Sequence, residues 1–570
     1  MNKYQWKIKE QAPIKETDFP EVSQTALKLL SNRGLNTQPQ IDEFLSPDYS
    51  RDIHDPFLFT QMKKAIDRLY ATKETGETIM IYGDYDADGV CGSSILHKAF
   101  TKVGLKFKTY LPDREKEGYG LNQPAVQEFA KQGVKLIITV DCGISNTEEV
   151  ALANSLGLEV IITDHHHVPE KEPEAYAIVH PGWDKEYPFK NLCGGGVAFK
   201  VAQGLLRDSR SGLTEKEVSS FEKWLLDLVA ISTVADMVPV LGENRTLVKY
   251  GLIVLAKTKN LGLSCLFQAA VINPEKMDTF TIGFQIAPRL NAAGRMSHAN
   301  NAYQLLTTEN LEEALVIANQ LNKSNVDRQN LTEKMVTEAK KQIGEISNDM
   351  PVVYAVSEGW NKGVVGLVAS KLVQEYARPA FALSQDGDIL VASGRSVPEL
   401  NLIESLDAMS DLFMRYGGHS GAAGFSLKKE NFEEFKKRFN ALAKEKLKDS
   451  KFIPYLLLDQ EITLDQADWV LVETLENFKP FGEGNSKPKF LINNLELLMA
   501  ETIGQDGSHL RLMVKQGEIK RKVICFGFGE ICQLLKPGDF IDIACEISIN
   551  EWNGNKEIQL SLIDIKKHES

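Results

Sequence analysis

The sequence predicts a multidomain α/β protein: a parallel-sheet domain, a long connecting helix, a smaller α/β domain and a C-terminal β-barrel. Three observations carry this prediction. The 570 residues, 43% hydrophobic and 25% charged, make about three to five packed units at about 100–200 residues each. From Thr78 to about Val240, short apolar runs alternate with helical patterns, as the strand-helix-strand units of a buried parallel sheet do. Beyond Lys451, strand-like runs follow one another with few helices between them, the pattern of a small barrel.

In chain order, residues 1–50 form an N-terminal segment whose charged start lacks the apolar stretch of a secretion signal. The parallel-sheet domain covers 51–305. Its strand runs are Ile79 to Tyr82, Leu136 to Val140, Val160 to Thr163 and Ala177 to Val179, with helices over 92–103, 124–132 and 147–156. Residues 306–348 hold the connector, where Leu315, Ala318, Leu321, Leu331, Met335 and Ala339 keep helical spacing on a polar background from Leu311 to Ile343. The smaller α/β domain covers 349–450, with strand runs at 352–356, 380–383 and 389–393. The barrel covers 451–570, with runs at 456–458, 490–492, 510–514, 522–526, 540–549 and 558–565.

Charge and cysteine content narrow the function. Sixty-five Lys and Arg against 78 Asp and Glu leave a net charge of −13, which argues against a chain-wide grip on a polyanion and confines any such site to a local patch. One patch lies in the barrel: Arg511, Lys515, Lys520, Arg521 and Lys522 stand against Glu518 alone, a local +4. Phe526, Phe528 and Trp552 are near it in sequence, so the patch combines backbone neutralisation with candidate base-stacking rings. Seven cysteines without a C-x-x-C pair fit a reducing compartment. No segment approaches the ~20 apolar residues of a membrane span, so a cytoplasmic protein without a membrane partner is expected.

The most informative feature is where acidic residues sit relative to the strands. Asp84, Asp86 and Asp88 follow the first run, Asp141 ends the second, and Asp164-His165-His166 ends the third. In an open parallel sheet the carboxyl ends of neighbouring strands face one ligand-binding crevice. Asp236, closing an apolar helical stretch, is placed to join them. A single strand-end Asp is usually a turn or N-cap residue, but here three strand ends carry one. So many like charges cannot share a desolvated pocket unless cations neutralise them. Carboxylate and imidazole ligands suit Mn²⁺ or Mg²⁺, and two such ions about 3.5–4 Å apart are the usual device for phosphoryl hydrolysis. His167 and His180 read as surface or packing histidines.

Gly83-Asp-Tyr-Asp-Ala-Asp-Gly89, Val140-Asp-Cys-Gly143, Asp164-His-His166 and Ala235-Asp236, in this order, resemble the DHH phosphoesterase superfamily, and the chain is similar over its whole length to that superfamily's single-strand-specific 5′→3′ DNA exonucleases. The resemblance implies a DHH domain at 51–305, a DHH-associated domain at 349–450 and an oligonucleotide-binding (OB) barrel opened by Pro480-Phe-Gly-Glu-Gly-Asn485. It implies that Asp86 and Asp141, with Asp84, hold one metal ion, and that Asp88, Asp141, His165 and Asp236 hold the other. Asp164 orients an imidazole and His166 faces the scissile phosphate. The catalytic set is thus His166, Asp164 and Asp141.

Two further segments match family patterns. Gly283-Phe-Gln-Ile-Ala-Pro-Arg289-Leu-Asn291-Ala-Ala-Gly294-Arg295 offers two guanidinium groups and an amide to phosphate. Ser393-Gly394-Arg395 and Gly417-Gly418-His419 resemble the DHH-associated domain's substrate motifs, in which glycines admit an anion to backbone N–H groups. The implied activity is two-metal hydrolysis of single-stranded DNA to 5′-mononucleotides in repair and recombination. Single-strand selectivity would come from a channel between the two α/β domains too narrow for a duplex. A single-strand-binding protein and a repair helicase are the implied partners of a monomeric enzyme. Two alternatives stay open: a DHH phosphodiesterase of short oligoribonucleotides or cyclic dinucleotides, and a non-catalytic DNA-binding replication scaffold.

Overall fold

The computed structural model describes residues 3–10, 19, 21–114, 116–296, 299–347, 349–448, 450, 452–552 and 554–569. Two compact units divide the chain: residues 8–323 with 458–570, and residues 1–7 with 324–457. The first strand, β1 (Gln5–Ile8), lies at the boundary, with Gln5, Trp6 and Lys7 in the second unit.

The parallel sheet comprises β2 (Ile79–Gly83), β3 (Phe107–Tyr110), β4 (Leu136–Val140), β5 (Glu159–Thr163) and β6 (Ala177–Val179), in the order β3-β2-β4-β5-β6, every pair parallel. Strands β2 and β4 are buried at all positions, as an apolar run covered by helices on both faces requires. Strand β3 was not among the predicted apolar runs. Its half-exposed Phe-Lys-Thr-Tyr carries no apolar run because an edge strand is covered less. The chain leaves β2 toward β3 on one side and reaches β4 on the other, so the switch of direction falls between β2 and β4, where doubly wound folds bind ligands. The helix Ala87–Val103 starts there. Asp86 is its N-cap, accepting hydrogen bonds from the Asp88 and Gly89 N–H groups, and Gly104 ends it in the left-handed region.

The barrel belongs to the same compact unit. Strands β14 (Phe490–Ile503), β15 (His509–Gln516), β16 (Ile519–Cys525), β17 (Phe540–Trp552) and β18 (Asn555–Lys567) run in the order β14-β15-β16-β18-β17, and β17 pairs back with β14 to close the ring; the short β13 (Gln460–Glu461) adds to β14. The expected strand at 456–458 is not part of it: β12 (Tyr455–Leu458) pairs with β1 instead. The N-terminal segment is not independent either. Leu27, Leu30, Ile41 and Phe44, from the helices Gln24–Ser31 and Gln38–Leu45, share one apolar cluster with barrel residues such as Leu475, Phe490 and Ile541.

The other unit holds a sheet of order β10-β11-β9-β8-β7, built from β7 (Val353–Glu358), β8 (Ala380–Asp386), β9 (Ile389–Arg395), β10 (Phe413–Gly418) and β11 (Ala422–Lys428). Only β7 and β8 are parallel. The Gly-rich β10 and β11 did not read as strands because glycine weakens the apolar pattern. The connecting helix runs from Leu311 to Ile343, and the division between the units falls within it. Among the described residues, no helix is long and apolar enough to cross a membrane.

Candidate metal centre

The ends of β2, β4 and β5 bring the predicted acidic residues to one place. Asp84 is buried behind Gly83, its N–H bonded to the Val140 carbonyl at 3.1 Å. Asp141 follows β4 with φ +63°, a left-handed conformation that Asp adopts more readily than most side chains. Asp164 follows β5, fully buried. Asp88, in the first turn of the helix Ala87–Val103, accepts hydrogen bonds from the Gly194 and Gly195 N–H groups, both at 2.7 Å, and from the Ser232 hydroxyl. Those two amides open the helix Gly194–Arg207, so a helix N-terminus faces the Asp88 side chain and fixes its place. Gly194 is obligatory at that contact, because a Cβ there would fall 2.5 Å from the Asp141 Cβ. Asp236, at the C-terminus of the helix Leu226–Ala235, completes the rim.

Among the described residues, three groups of donor atoms lie within 4.8 Å of one another: Asp84, Asp86 and Asp141; Asp88, His165 and Asp236; and Asp141, His165 and His166. His165 Nε2 stands 3.1 Å from Asp141, 3.5 Å from Asp236 and 3.7 Å from Asp88. It makes no hydrogen bond, and neither do the buried Oδ1 atoms of Asp84 and Asp141. Buried polar atoms left this way are costly. Burial raises Asp84, Asp86 and Asp141 above the usual carboxylate range, with neighbouring aspartates adding to it, and Asp236 is pushed up to about 9 by burial and the charges of Asp88 and Asp86. Burial lowers His165, which favours the neutral imidazole a metal needs. The donor set therefore fits hard divalent cations.

Asp164 is different. It accepts from the N–H groups of Ile144 at 2.9 Å, His165 at 2.7 Å and His166 at 3.2 Å, and pairs with His166 Nδ1 at 2.8 Å. Burial raises its pKa, but these donors outweigh burial and hold it at about 2. Burial lowers His166 as well, yet the hydrogen bond and charge of Asp164 carry it up to about 9. That rise favours the protonated ring, whose Nδ1 is engaged by Asp164 and whose side chain is 41% exposed.

One supporting group carries no sequence signal. Tyr119 places its hydroxyl 3.0 Å from His166 Nδ1 and 3.4 Å from the Asp141 carbonyl; it lies outside every strand end, so no pattern pointed to it. His180 is a packing residue, as expected, and a specific one: its Nε2 meets the His166 carbonyl at 2.8 Å while Nδ1 accepts from the Gly182 and Trp183 N–H groups. His167 is exposed.

The other predicted residues divide between places. Asn291 accepts from the Ala87 N–H at 2.8 Å, next to the acidic loop, and a Cβ on Gly294 would come within 2.9 Å of the Tyr85 carbonyl. Arg289 is turned to Asn322 and the Gln285 carbonyl; burial raises the Tyr85 hydroxyl, and Arg295 lies near enough for its charge to oppose part of that rise. In the other unit Ser393 and Arg395 lie on β9, with Arg395 Nη1 3.0 Å from Ser393 Oγ. Gly418 on β10 faces Ala423, which faces Gly394, and the His419 N–H donates to the Ala422 carbonyl at 2.8 Å. In the barrel, Lys515 faces Lys520 directly across β15 and β16. The patch is weaker than +4: Arg511 is paired with Glu501, and Lys522 with Glu557 at 3.1 Å. Phe526 is exposed, Phe528 is buried, and the side chain of Trp552 lies outside the described residues.

An acidic and imidazole crevice at the switch point of a parallel sheet, carried by Asp-Tyr-Asp-Ala-Asp-Gly and Asp-His-His, defines a metal-dependent phosphoesterase of the DHH class. Family models agree in every part: DHH family N-terminal domain over residues 78–233, DHHA1 domain over 349–445 and RecJ OB domain over 458–564. The single-stranded-DNA-specific exonuclease RecJ of Bacillus subtilis is 38% identical over 99% of this chain and 71% of its own length, and that of Escherichia coli is 31% identical over 99% of both. The crystal structure of RecJ from Thermus thermophilus in complex with Mn²⁺ superposes with a TM-score of 0.83 at 28% identity, covering all of this chain and 80% of that one; its Mg²⁺ complex gives 0.78. The chain belongs to the RecJ family.

Proposed function

We infer that this protein is a single-strand-specific DNA exonuclease that uses Mn²⁺ or Mg²⁺. The observation that carries the reading is the acidic crevice, with its unbonded donor atoms, in a chain that also has an OB barrel. Asp84, Asp86 and Asp141 would hold one ion; Asp88, Asp141, His165 and Asp236 would hold the other. Bound there, the ions supply Lewis-acid activation of the phosphate and of the attacking water.

The chain's own residues do the rest. Asp164 fixes the His166 ring through Nδ1, which leaves the Nε2 proton for the departing 3′-oxygen at neutral pH. Helix and strand ends hold the carboxylates before substrate arrives, so little reorganisation accompanies the reaction. Arg289, Asn291, Arg295, Ser393, Arg395, Gly418 and His419 are assigned to phosphate recognition, and Lys515, Lys520 and Arg521, with Arg511 and Lys522, to the DNA backbone. Sequence preference is expected to be slight, because phosphate and stacking contacts carry little base information. The barrel favours a polymer over a dinucleotide substrate, and the complete ligand set favours an enzyme over a scaffold. The 5′→3′ polarity, the release of 5′-mononucleotides, the repair and recombination role, a single-strand-binding protein and a helicase as partners, and a monomeric state rest on the family. All seven cysteines are unpaired thiols, in keeping with work in the cytoplasm.

The test is digestion of 5′- and 3′-labelled single strands, with duplex and RNA controls, with and without chelator. Chelator-sensitive release from the 5′ end of the single strand alone is expected, and Asp141→Ala or His165→Ala should remove at least 100-fold of it. Near-normal nucleotide release by either variant would refute the assignment.

A further inference from the structure

The turn Pro480–Asn485, read in sequence as the start of the barrel, is pressed against the loop that follows Asp236. The Val240 N–H donates to the Glu483 carbonyl at 2.8 Å. Gly482 packs on Val240 so closely that a Cβ would fall 2.5 Å from Val240 Cγ2, and a Cβ on Gly484 would lie 3.1 Å from the Pro239 Cβ. The turn is itself braced. Gly482 and Asn485 exchange backbone hydrogen bonds at 2.9 and 3.2 Å. The fully buried Asn485 side chain donates to the Phe478 and Pro480 carbonyls and accepts from Arg33 Nε at 2.6 Å.

Arg245 grips the segment that leads into the turn. It lies in the first turn of the helix Gly242–Leu255, which begins directly after the loop, and is 1% exposed. Its guanidinium donates to five carbonyls: Phe44 at 2.8 Å, Asn477 at 2.8 Å, Phe478 at 3.0 Å, Lys479 at 2.8 Å and Pro480 at 3.2 Å. A buried cation whose hydrogen bonds all run to the backbone of distant segments holds those segments together, because releasing any of them leaves charge-bearing N–H groups unpaired. Asn244 adds a hydrogen bond to the Pro239 carbonyl at 3.0 Å. Only Met237 and Val238 separate Asp236 from Pro239, the first residue of the loop in these contacts.

We propose that Arg245 and the turn Pro480–Asn485 are positioning elements for the metal centre: the barrel holds the 237–241 loop and so sets where Asp236 stands. This rests on Asp236 being a metal ligand. The barrel then supports hydrolysis even of substrates too short to reach its DNA-binding face.

The test uses the full chain carrying Gly482→Ala or Arg245→Met, read by Mn²⁺ titration with calorimetry and electron paramagnetic resonance and by hydrolysis of a 5′-phosphorylated trinucleotide. The expected result is at least tenfold weaker binding of one Mn²⁺ ion with the other retained, and a fall in trinucleotide kcat with little change in KM. Two wild-type Mn²⁺ affinities and a wild-type kcat in folded Gly482→Ala protein would overturn the proposal. That variant adds one methyl group at a partly exposed turn and decides the matter even if Arg245→Met does not fold. A wild-type protein that binds fewer than two Mn²⁺ ions would instead overturn the metal assignment beneath it.

Discussion

At the residue scale, the crevice sorts identical side chains by what surrounds them. Asp164 has four donors and stays ionised, whereas Asp236 is held up to about 9 by burial and by the charges of Asp88 and Asp86, which outweigh that of His166. These shifts make metal-free stability depend on pH. The folded-state values of His166 and Asp236, both about 9, exceed their ordinary values of 6.5 and 3.8. Each therefore keeps a proton in the folded state that the unfolded chain releases, and the contribution is lost as pH rises toward about 9. The metal-free protein is expected to show a falling Tm from pH 6.5 to 9, and saturating Mn²⁺ should flatten that slope by replacing the protons. A metal-free Tm that rises over this range in calorimetry would contradict the charge arrangement.

At the scale of elements, three strand ends and three helices converge. The helix Ala87–Val103 brings Asp86 as its cap and Asp88 in its first turn, while the helix Gly194–Arg207 meets Asp88 with its free N–H groups. Glycine at the start of the second helix lets it approach Asp141. Gly194→Ala forces a Cβ within 2.6 Å of the Asp141 carboxyl group, an overpacking that costs about 1–3 kcal/mol. The variant is expected to unfold at a lower denaturant midpoint and to bind Mn²⁺ at least tenfold more weakly. Wild-type affinity would mean that the helix start does not set the centre.

At the scale of the whole molecule, net negative charge and a polyanionic substrate are reconciled by local placement. Lys515 and Lys520 face each other across two strands, an arrangement worth about 0.2–1 kcal/mol against the fold that becomes favourable when a phosphate lies between them. Replacing both by Glu is expected to raise KM for long single strands. It should also flatten the plot of log Kd against log salt by about 0.7 per lost phosphate contact, measured by fluorescence anisotropy. Unchanged affinity and slope would place the DNA path elsewhere on the barrel.

The order of domains, the buried parallel strands and the convergence of Asp84, Asp86, Asp88, Asp141, His165 and Asp236 were legible in the sequence, because strand ends of a parallel sheet must share an edge and apolar runs mark those strands. The cationic patch was legible only as a count, since Glu501 and Glu557 reach Arg511 and Lys522 through strand pairing that sequence distance hides. Glycine-rich β10 and β11, the pairing of β12 with β1 and the packing of the N-terminal helices into the barrel core were likewise invisible locally. Tyr119, Arg245 and the grip of Pro480–Asn485 on the loop after Asp236 belong to the tertiary structure alone. The sequence by itself determined which acidic and imidazole residues gather at the strand ends, because periodicity and residue type are local properties. Only the tertiary structure decided what holds them in place, because a hydrogen bond between residues 245 and 478 depends on how the chain folds back and leaves no mark in either neighbourhood.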